Sequence, residues 1–531
     1  MTQATTPAAT ATKPAPRPKP ESLPNTEVPR HVGVLIVGGG FAGLGAAIRL
    51  TKDRRPDFLV VERGSEVGGT WRDNTYPGAA CDVPSHLYSY SFEPNPNWSR
   101  SFSPQWEIQD YLRRTAGKYG VLDKHLFDTE VTSAQWDDSA TQWVVRTTRG
   151  TFTSDVLVSA IGALCEPALP DIKGIDTFRG EIFHSSRWNH DSALGGKRVA
   201  IIGTGASAVQ IGPAIVDQVA HLDVYQRTAP WVMPRHDRAY SKPESLAYKH
   251  VPGLQWLARQ AIYWGREALV LGFAFRPKIL LGAQRIAERH IRKQIPDDEL
   301  RKAVTPNWQI GCKRILISND WYPMLTRDHV ELVTDGIAEV RAHAIVTRDG
   351  TVREVDAIVV ATGFHVTDSP GWEAIRGADG RSLAQVWRTS GQQAYKGAAV
   401  AGFPNMLFVV GPNTGLGHSS MVYMIESHVN YLASALRKMD EHGLATFEVR
   451  QDRQRDYNEN LQKNMKQTIW TTGGCASWYL DAHGNNTTLW PSFTFLFRRL
   501  TRTFDLAAYR TTARTDRRAA SLSLVEEVGV A

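Results

Sequence analysis

An α/β fold with two Rossmann-like dinucleotide-binding units is predicted by three observations. They are two glycine fingerprints, the apolar strand ahead of each, and the residue that ends the strand after each. The first fingerprint, Gly38-Gly39-Gly40-Phe41-Ala42-Gly43, follows Val34-Leu35-Ile36-Val37. The second, Gly203-Thr204-Gly205-Ala206-Ser207-Ala208, follows Val199-Ala200-Ile201-Ile202. Each reads as a strand, a tight turn and a helix start. The small residues let the backbone approach a pyrophosphate, and the helix start offers free N–H donors and partial positive charge. The next strand after the first fingerprint, Phe58-Leu59-Val60-Val61, ends in Glu62. Its counterpart, Asp223-Val224-Tyr225, ends in Gln226-Arg227. A carboxylate there accepts from both ribose hydroxyls and repels a 2′-phosphate, whereas Gln226-Arg227 tolerates and attracts one. Two different dinucleotides, the second phosphorylated, imply electrons passing between them.

The remaining elements follow in chain order. Residues 1–30 read as a disordered tail rich in Thr, Ala, Pro and Lys, without the apolar stretch of a signal peptide. Residues 31–165 form the first part of the first dinucleotide domain. It includes long Gly/Pro-punctuated loops from Gly68 to Pro96 and strands about Arg149-Gly150. Residues 166–240 hold a linker, to about 195, and the start of the second domain. Residues 241–306 turn helical, with Trp256, Leu257, Ile262, Tyr263 and Leu269 among Arg and Lys. We read them as a helical insertion packed on the second domain, in preference to a membrane-surface element. Strands resume in 307–380, and 381–510 complete the first domain, which is therefore discontinuous with the second inserted in it. Within 381–510, Gly415-Leu416-Gly417-His418-Ser419 reads as a helix start near His418. Residues 511–531 read as a tail.

Composition narrows the class. A chain of 531 residues with 42% hydrophobic and 22% charged residues has the makings of two or three α/β units with ample cores. The net charge of +7 lies partly in the tails, and no basic run interleaves with aromatics, so nucleic acid is not an expected partner. The longest apolar run, about Ala268 to Phe275, is too short to span a bilayer. Cys81, Cys165, Cys312 and Cys475 lie far apart with no C-x-x-C, and read as free thiols in a reducing, cytoplasmic setting. That also counts against a disulfide reductase.

Further segments carry a family resemblance. Phe178-Arg179-Gly180-Glu181-Ile182-Phe183-His184-Ser185-Ser186-Arg187-Trp188 is F-x-G-x-x-x-H-x-x-x-W. Gly68-Gly69-Thr70-Trp71 runs through Tyr76-Pro77-Gly78 to Asp82. Both resemble signatures of the Baeyer–Villiger monooxygenases, and the likeness extends from about Val32 to Tyr509. Asn189 departs from the more usual proline or aspartate. Segments about Arg187, Ser318-Asn319-Asp320-Trp321-Tyr322 and Thr488-Leu489-Trp490-Pro491 look most like the 4-hydroxyacetophenone monooxygenase subgroup.

The resemblance implies FAD at the first site and NADPH at the second. NADPH reduces the flavin, O2 adds to give a peroxyflavin, and a ketone becomes an ester or lactone. Such chemistry needs a permanent cation beside developing negative charge, for which arginine suits better than lysine. Gly311-Cys312-Lys313-Arg314 resembles the segment that carries it. The resemblance makes Arg314 the catalytic cation, Asp82 its partner, and Lys313 a 2′-phosphate contact with Arg227 and Thr228. Trp478 is placed at the nicotinamide ribose. Cofactor contacts are further expected from Gly69, Thr70, Trp71, Tyr76, Arg63, Tyr88, Val131 and Gln210. His184 and Trp188 are assigned to packing or hinge motion rather than proton transfer. O2 and a small aryl, cyclic or linear ketone are the expected substrates of a monomer or homodimer without stable membrane insertion. Two rivals are a flavin N- or S-monooxygenase without ketone activity and a non-catalytic NADPH sensor. The former needs no Arg314–Asp82 pair, and the latter no Gly68–Asp82 signature.

Overall fold

The computed structural model describes residues 30–481 and 483–514. Two sheets dominate. The first has the strand order Ile375–Arg376, Val131–Asp137, Gln142–Thr147, Gly150–Ser159, His31–Val37, Phe58–Val61, His125–Leu126, and Met406–Phe408 also pairs with Gly150–Ser159. Its centre is parallel and its 131–159 stretch is an antiparallel meander. The second sheet is parallel throughout, ordered Val330–Val333, His221–Tyr225, Arg198–Ile202, Ala357–Val360, Glu181–His184. Parallel strands covered on both faces must be apolar along their length. Accordingly Phe58–Val61 and Ala357–Val360 are buried at every position.

Both sheets build the same turn. Gly38 N–H donates to the carbonyl of Val61 (2.8 Å), and Gly203 N–H to that of Tyr225 (3.0 Å). Gly38 (φ +108°) and Gly203 (φ +112°) are left-handed, and a Cβ on either would fall 2.8 Å from Ala160 O or 2.5 Å from Ala361 O. Only glycine carries the chain over the neighbouring strand end at this distance. The helices Phe41–Lys52 and Ala206–Ile215 follow at once.

Several elements differ from the sequence reading. Glu181–His184, expected in a linker, is the edge strand of the second sheet, paired with Ala357–Val360. A four-residue strand flanked by Gly and Ser has too little periodicity to declare itself. Ile375–Arg376 pairs with Val131–Asp137 in the first sheet, so the return to the first domain precedes the expected boundary at 380. The strand Tyr509–Ala513 pairs with Leu444–Val449, so residues expected to open the C-terminal tail are structured to Ala513. The rest of that tail, and residues 1–29 of the N-terminal one, lie outside the described residues. The helix expected near His418 begins at Met421, because the Ser420 hydroxyl accepts from Val422 N–H and caps it there.

The cysteine reading is corrected too. Cys312 and Cys475 form a disulfide across 163 residues, while Cys81 and Cys165 are free. Sequence spacing carries no trace of a pairing that tertiary structure creates. The bond joins the segment before Arg314 to the segment before Trp478, and Gln309 N–H donates to Gly473 O beside it (3.1 Å).

Two outcomes check these features. Gly43→Ala places a Cβ 1.8 Å from Gly38 O. It is expected to cost roughly 1–3 kcal/mol of stability and to lower flavin content, read by thermal unfolding and bound absorbance. A non-reduced digest is expected to yield a peptide linking Cys312 to Cys475. Closing so long a loop contributes at most about 5 kcal/mol on chain-entropy grounds, so reductant lowers Tm.

Candidate active site

The first fingerprint meets the Gly68–Asp82 segment directly. Gly68 N–H donates to Gly39 O (3.0 Å), and a Cβ on Gly69 (φ +55°) would sit 3.1 Å from the Gly40 Cα. Glu62 is buried at the end of its strand. Its carboxylate accepts from Gly39 N–H (2.6 Å), Gly64 N–H (2.7 Å) and Arg72 (2.7 Å). Sequence reasoning missed Arg72, which also donates to Glu66 O and pairs with Asp73. Arg63 pairs with Glu166 and donates to Cys165 O (2.8 Å). Val131 opens its strand two residues after Thr129, whose N–H donates to Glu62 O (2.9 Å). Thr70 starts the short helix Thr70–Asp73, and Trp71 donates to the Tyr88 hydroxyl (3.0 Å). Phe41 and Ala42 are buried, with the Phe41 ring edge-on to Tyr88 at 5.4 Å. Burial raises the Tyr88 pKa well above a normal phenol's.

The cradle fits a dinucleotide. Neither Gly40 nor Gly205 supplies a side-chain cap, so the first N–H groups of both helices lack a protein acceptor from that position. A Cβ on Gly205 would meet nothing within 4 Å. Thr204 is buried and donates to Thr228 O (3.2 Å), while Ala206 and Ser207 open the helix beyond.

The two units meet at Asp82. Gln210, on the second unit's first helix, donates to Ala80 O (3.1 Å) and approaches Asp82 Oδ1 (3.4 Å). Its amide oxygen accepts from the Tyr76 hydroxyl (3.0 Å), and burial pushes the Tyr76 pKa up to about 12. Gly78 (φ +80°) allows this approach, since a Cβ there would lie 2.5 Å from Gln210 O. Arg314 comes to Asp82 Oδ2 at 3.4 Å as a long ion pair. Arg266, from the helical insertion, reaches Asp82 O (3.5 Å), a contact with no signal in the sequence. Arg314 is ringed by protein, yet its side chain keeps 42% exposure. Burial alone lowers its pKa; the negative field of Asp82, with smaller contributions from Tyr479 and Cys81, more than offsets that, and the net shift is upward. Arg314 therefore stays charged throughout the working pH range.

Lys313, Arg227 and Thr228 form a second cluster. Lys313 Nζ lies 3.3 Å from the Thr228 hydroxyl and 5.4 Å from the centre of the Trp308 ring. Its pKa is lowered, first by burial and then by Arg227. Among the described residues neither cation has an ion-pair partner. Gln226 is turned away, donating to Ala303 O (2.8 Å). Trp478 is 48% exposed, its ring edge-on to Tyr479 at 4.4 Å, so it is not a core residue. His184 is buried, with Nε2 2.9 Å from Gly363 O and Nδ1 2.9 Å from the Ser186 hydroxyl. Burial lowers its pKa, so it stays neutral at pH 7. Both ring nitrogens are committed at the end of the strand leading to Gly363.

Similarity to known proteins bears directly on this site. Residues 31–250 match the flavin-binding monooxygenase-like family. A Baeyer–Villiger monooxygenase of Streptomyces coelicolor is 51% identical over 91% of this chain and 93% of its own. The chain belongs to the Baeyer–Villiger monooxygenases. A steroid monooxygenase structure with NADP bound is 31% identical, with TM-score 0.78 over 91% of this chain and 100% of that one. A structure of OTEMO in complex with FAD and NADP is 26% identical, with TM-score 0.80 over 91% and 99%. The enzyme is thus a flavin-dependent, NADPH-dependent monooxygenase that acts on O2 and a ketone. Among the described residues no helix is long and apolar enough to cross a membrane.

Proposed function

We propose that FAD lies along the first fingerprint, with NADPH at the second and the ketone received at the Asp82–Arg314 junction. The observation that carries this reading is the meeting of residues from both units and the insertion on Asp82. Glu62 holds the adenosine ribose, with Gly38, Gly40, Gly43 and Gly69 clearing the backbone beside the pyrophosphate. Gly203, Gly205 and Ser207 do the same for NADPH. Bound FAD, reduced by NADPH, supplies the activated oxygen.

The protein's part is electrostatic. Arg314 presents fixed N–H donors to the oxyanion that forms on the ketone carbon, without a proton to lose. Asp82 aims that guanidinium, and Gln210 holds Asp82 from the other side. Trp478, with its exposed ring, covers the nicotinamide ribose and keeps water out. The ketone is aryl, cyclic or linear, and the product is an ester or lactone.

Lys313 and Arg227 read the 2′-phosphate, since two neighbouring cations without a carboxylate are compensated by an anionic ligand. A charge-assisted hydrogen bond contributes roughly 1.5–3 kcal/mol. Lys313→Ala is therefore expected to reduce the preference for NADPH over NADH by about tenfold or more. The pH dependence has a defined sign. Lys313 binds phosphate only when protonated, and its pKa is below the usual lysine value. KM for NADPH therefore rises with pH toward the alkaline side, while KM for NADH does not, and Lys313→Met removes the difference.

A ketone panel with purified enzyme, FAD and NADPH tests the reaction, with products identified by mass spectrometry. Ester or lactone is expected in proportion to NADPH consumed; hydrogen peroxide alone across the panel overturns the reading. Arg314→Ala is expected to lose about 10²–10³-fold in ketone oxygenation, as removal of one oxyanion donor does. Arg314→Lys should restore little of it. Retention of full ketone activity by Arg314→Ala would assign the oxyanion contact elsewhere.

A further inference from the structure

The helix Leu254–Ala268 turns its charged side chains toward the protein, beside the buried Tyr263 and the half-buried Ile262. Its polar residues face the protein. Arg259 donates to His86 O (2.7 Å) and Ser89 O (3.0 Å), and Glu267 accepts from Thr494 N–H and its hydroxyl (both 2.8 Å). With Arg266 on Asp82 O, the charged side chains of this helix are committed inward. Its outward side is apolar: Trp256, Leu257 and Trp264 are 60%, 58% and 55% exposed. An amphipathic helix of a globular protein normally turns the opposite way.

The apolar face does not stop at that helix. Among the described residues, most of the large hydrophobic side chains left exposed lie in 246–286 and at Phe495 and Leu496. Trp264 meets Phe495 at 5.9 Å, and Phe275 stacks on Phe493 at 5.6 Å, which makes the patch continuous. Such a surface marks a docking site. The insertion, expected to pack on the second domain, packs on the first through Tyr263 and Arg259 and on the second through Phe273, Leu280 and Ile291, and still leaves this face bare.

Charge identifies what docks. Between residues 245 and 296 the chain carries Arg and Lys repeatedly but only two acids, Glu267 and Glu288, and Glu267 is buried. Lys249, Arg276, Lys278, Arg285 and Arg289 have no ion-pair partner among the described residues. A second copy of the chain is a poor occupant, because a two-fold interface sets these unpaired cations against their own images. A partner with an apolar interior and an anionic skin satisfies both features. Tryptophan, with an apolar body and one N–H, suits the boundary between them.

We propose that this face docks peripherally on an anionic lipid bilayer, with Trp256 and Trp264 seated at the headgroup level and the basic residues on the phosphates. The helix lies in the surface and does not cross it. The inference stands apart from the reaction assigned above, since no residue of the face is placed in the active site.

The test is flotation of the full-length, flavin-loaded enzyme with phosphatidylcholine vesicles, with and without phosphatidylglycerol. The wild type is expected to float with the anionic vesicles, to stay behind with the neutral ones, and to be released by high salt. Trp256→Ser with Trp264→Ser, and separately Arg276→Glu with Lys278→Glu, should each weaken binding by about tenfold or more while keeping flavin content and NADPH oxidation. Should the tryptophan pair not fold, Leu257→Ser with Phe275→Ser replaces it. Failure of the wild type to float, or flotation of both folded pairs at wild-type level, overturns the proposal. So does a stable dimer in sedimentation that the tryptophan pair splits.

Discussion

The position of Asp82 is the constraint around which the site is assembled. A carboxylate with only 14% of its side chain exposed needs partners, and those partners come from elsewhere in the chain. Gln210 arrives on the first helix of the second sheet and Arg314 arrives after the helical insertion, while Arg266, from the insertion itself, donates to the Asp82 backbone carbonyl. Holding this residue therefore ties the two sheets and the insertion together. Gly78 is the backbone concession that permits it, since any side chain there would collide with the Gln210 backbone. The 3.4 Å separation of Asp82 and Arg314 is long for a charge-assisted bond, and leaves room for the guanidinium to turn toward a substrate.

The Gly40 and Gly205 helix starts and the Lys313–Arg227 pair carry positive charge without a protein counter-charge among the described residues. Side-chain caps are absent at Gly40 and Gly205, as at other helix starts such as Pro104 and Gly253, but here small residues also leave the space ahead of Gly205 open. The Lys313 pKa is lowered first by burial and then by the neighbouring charge of Arg227. A fold that leaves donors and cations unsatisfied in this pattern is organised to receive anions. The Cys312–Cys475 bond ties together the segments that carry Lys313 and Arg314 on one side and Trp478 on the other.

Much of this architecture is legible in the amino-acid sequence. The two glycine fingerprints, Glu62 against Gln226-Arg227, and the Gly68–Asp82 segment are local patterns whose geometry follows from backbone sterics. Arg314 and Lys313 are legible only through family resemblance, because a Lys-Arg pair in isolation is most often solvated. Arg72 and Arg266 leave no signal: each matters through a contact, to the Glu62 carboxylate or the Asp82 backbone carbonyl, that no local pattern declares. Glu181–His184 reads as linker because an edge strand four residues long is defined by its neighbour rather than by its own periodicity.

The sequence by itself determined the two glycine turns, the contrast of Glu62 with Gln226-Arg227 at the next strand ends and the family, because these depend on residues close together in the chain. Tertiary structure alone decided the disulfide, the arrival of Gln210 and Arg266 at Asp82 and the orientation of the helix Leu254–Ala268. That helix has an apolar face and a polar face in any reading of its sequence. Which face turns outward depends on what lies beneath it, and the backbone carbonyls of His86, Ser89 and Asp82 favour the polar one. Periodicity reveals that a helix has two sides, but only the surface it packs against selects between them.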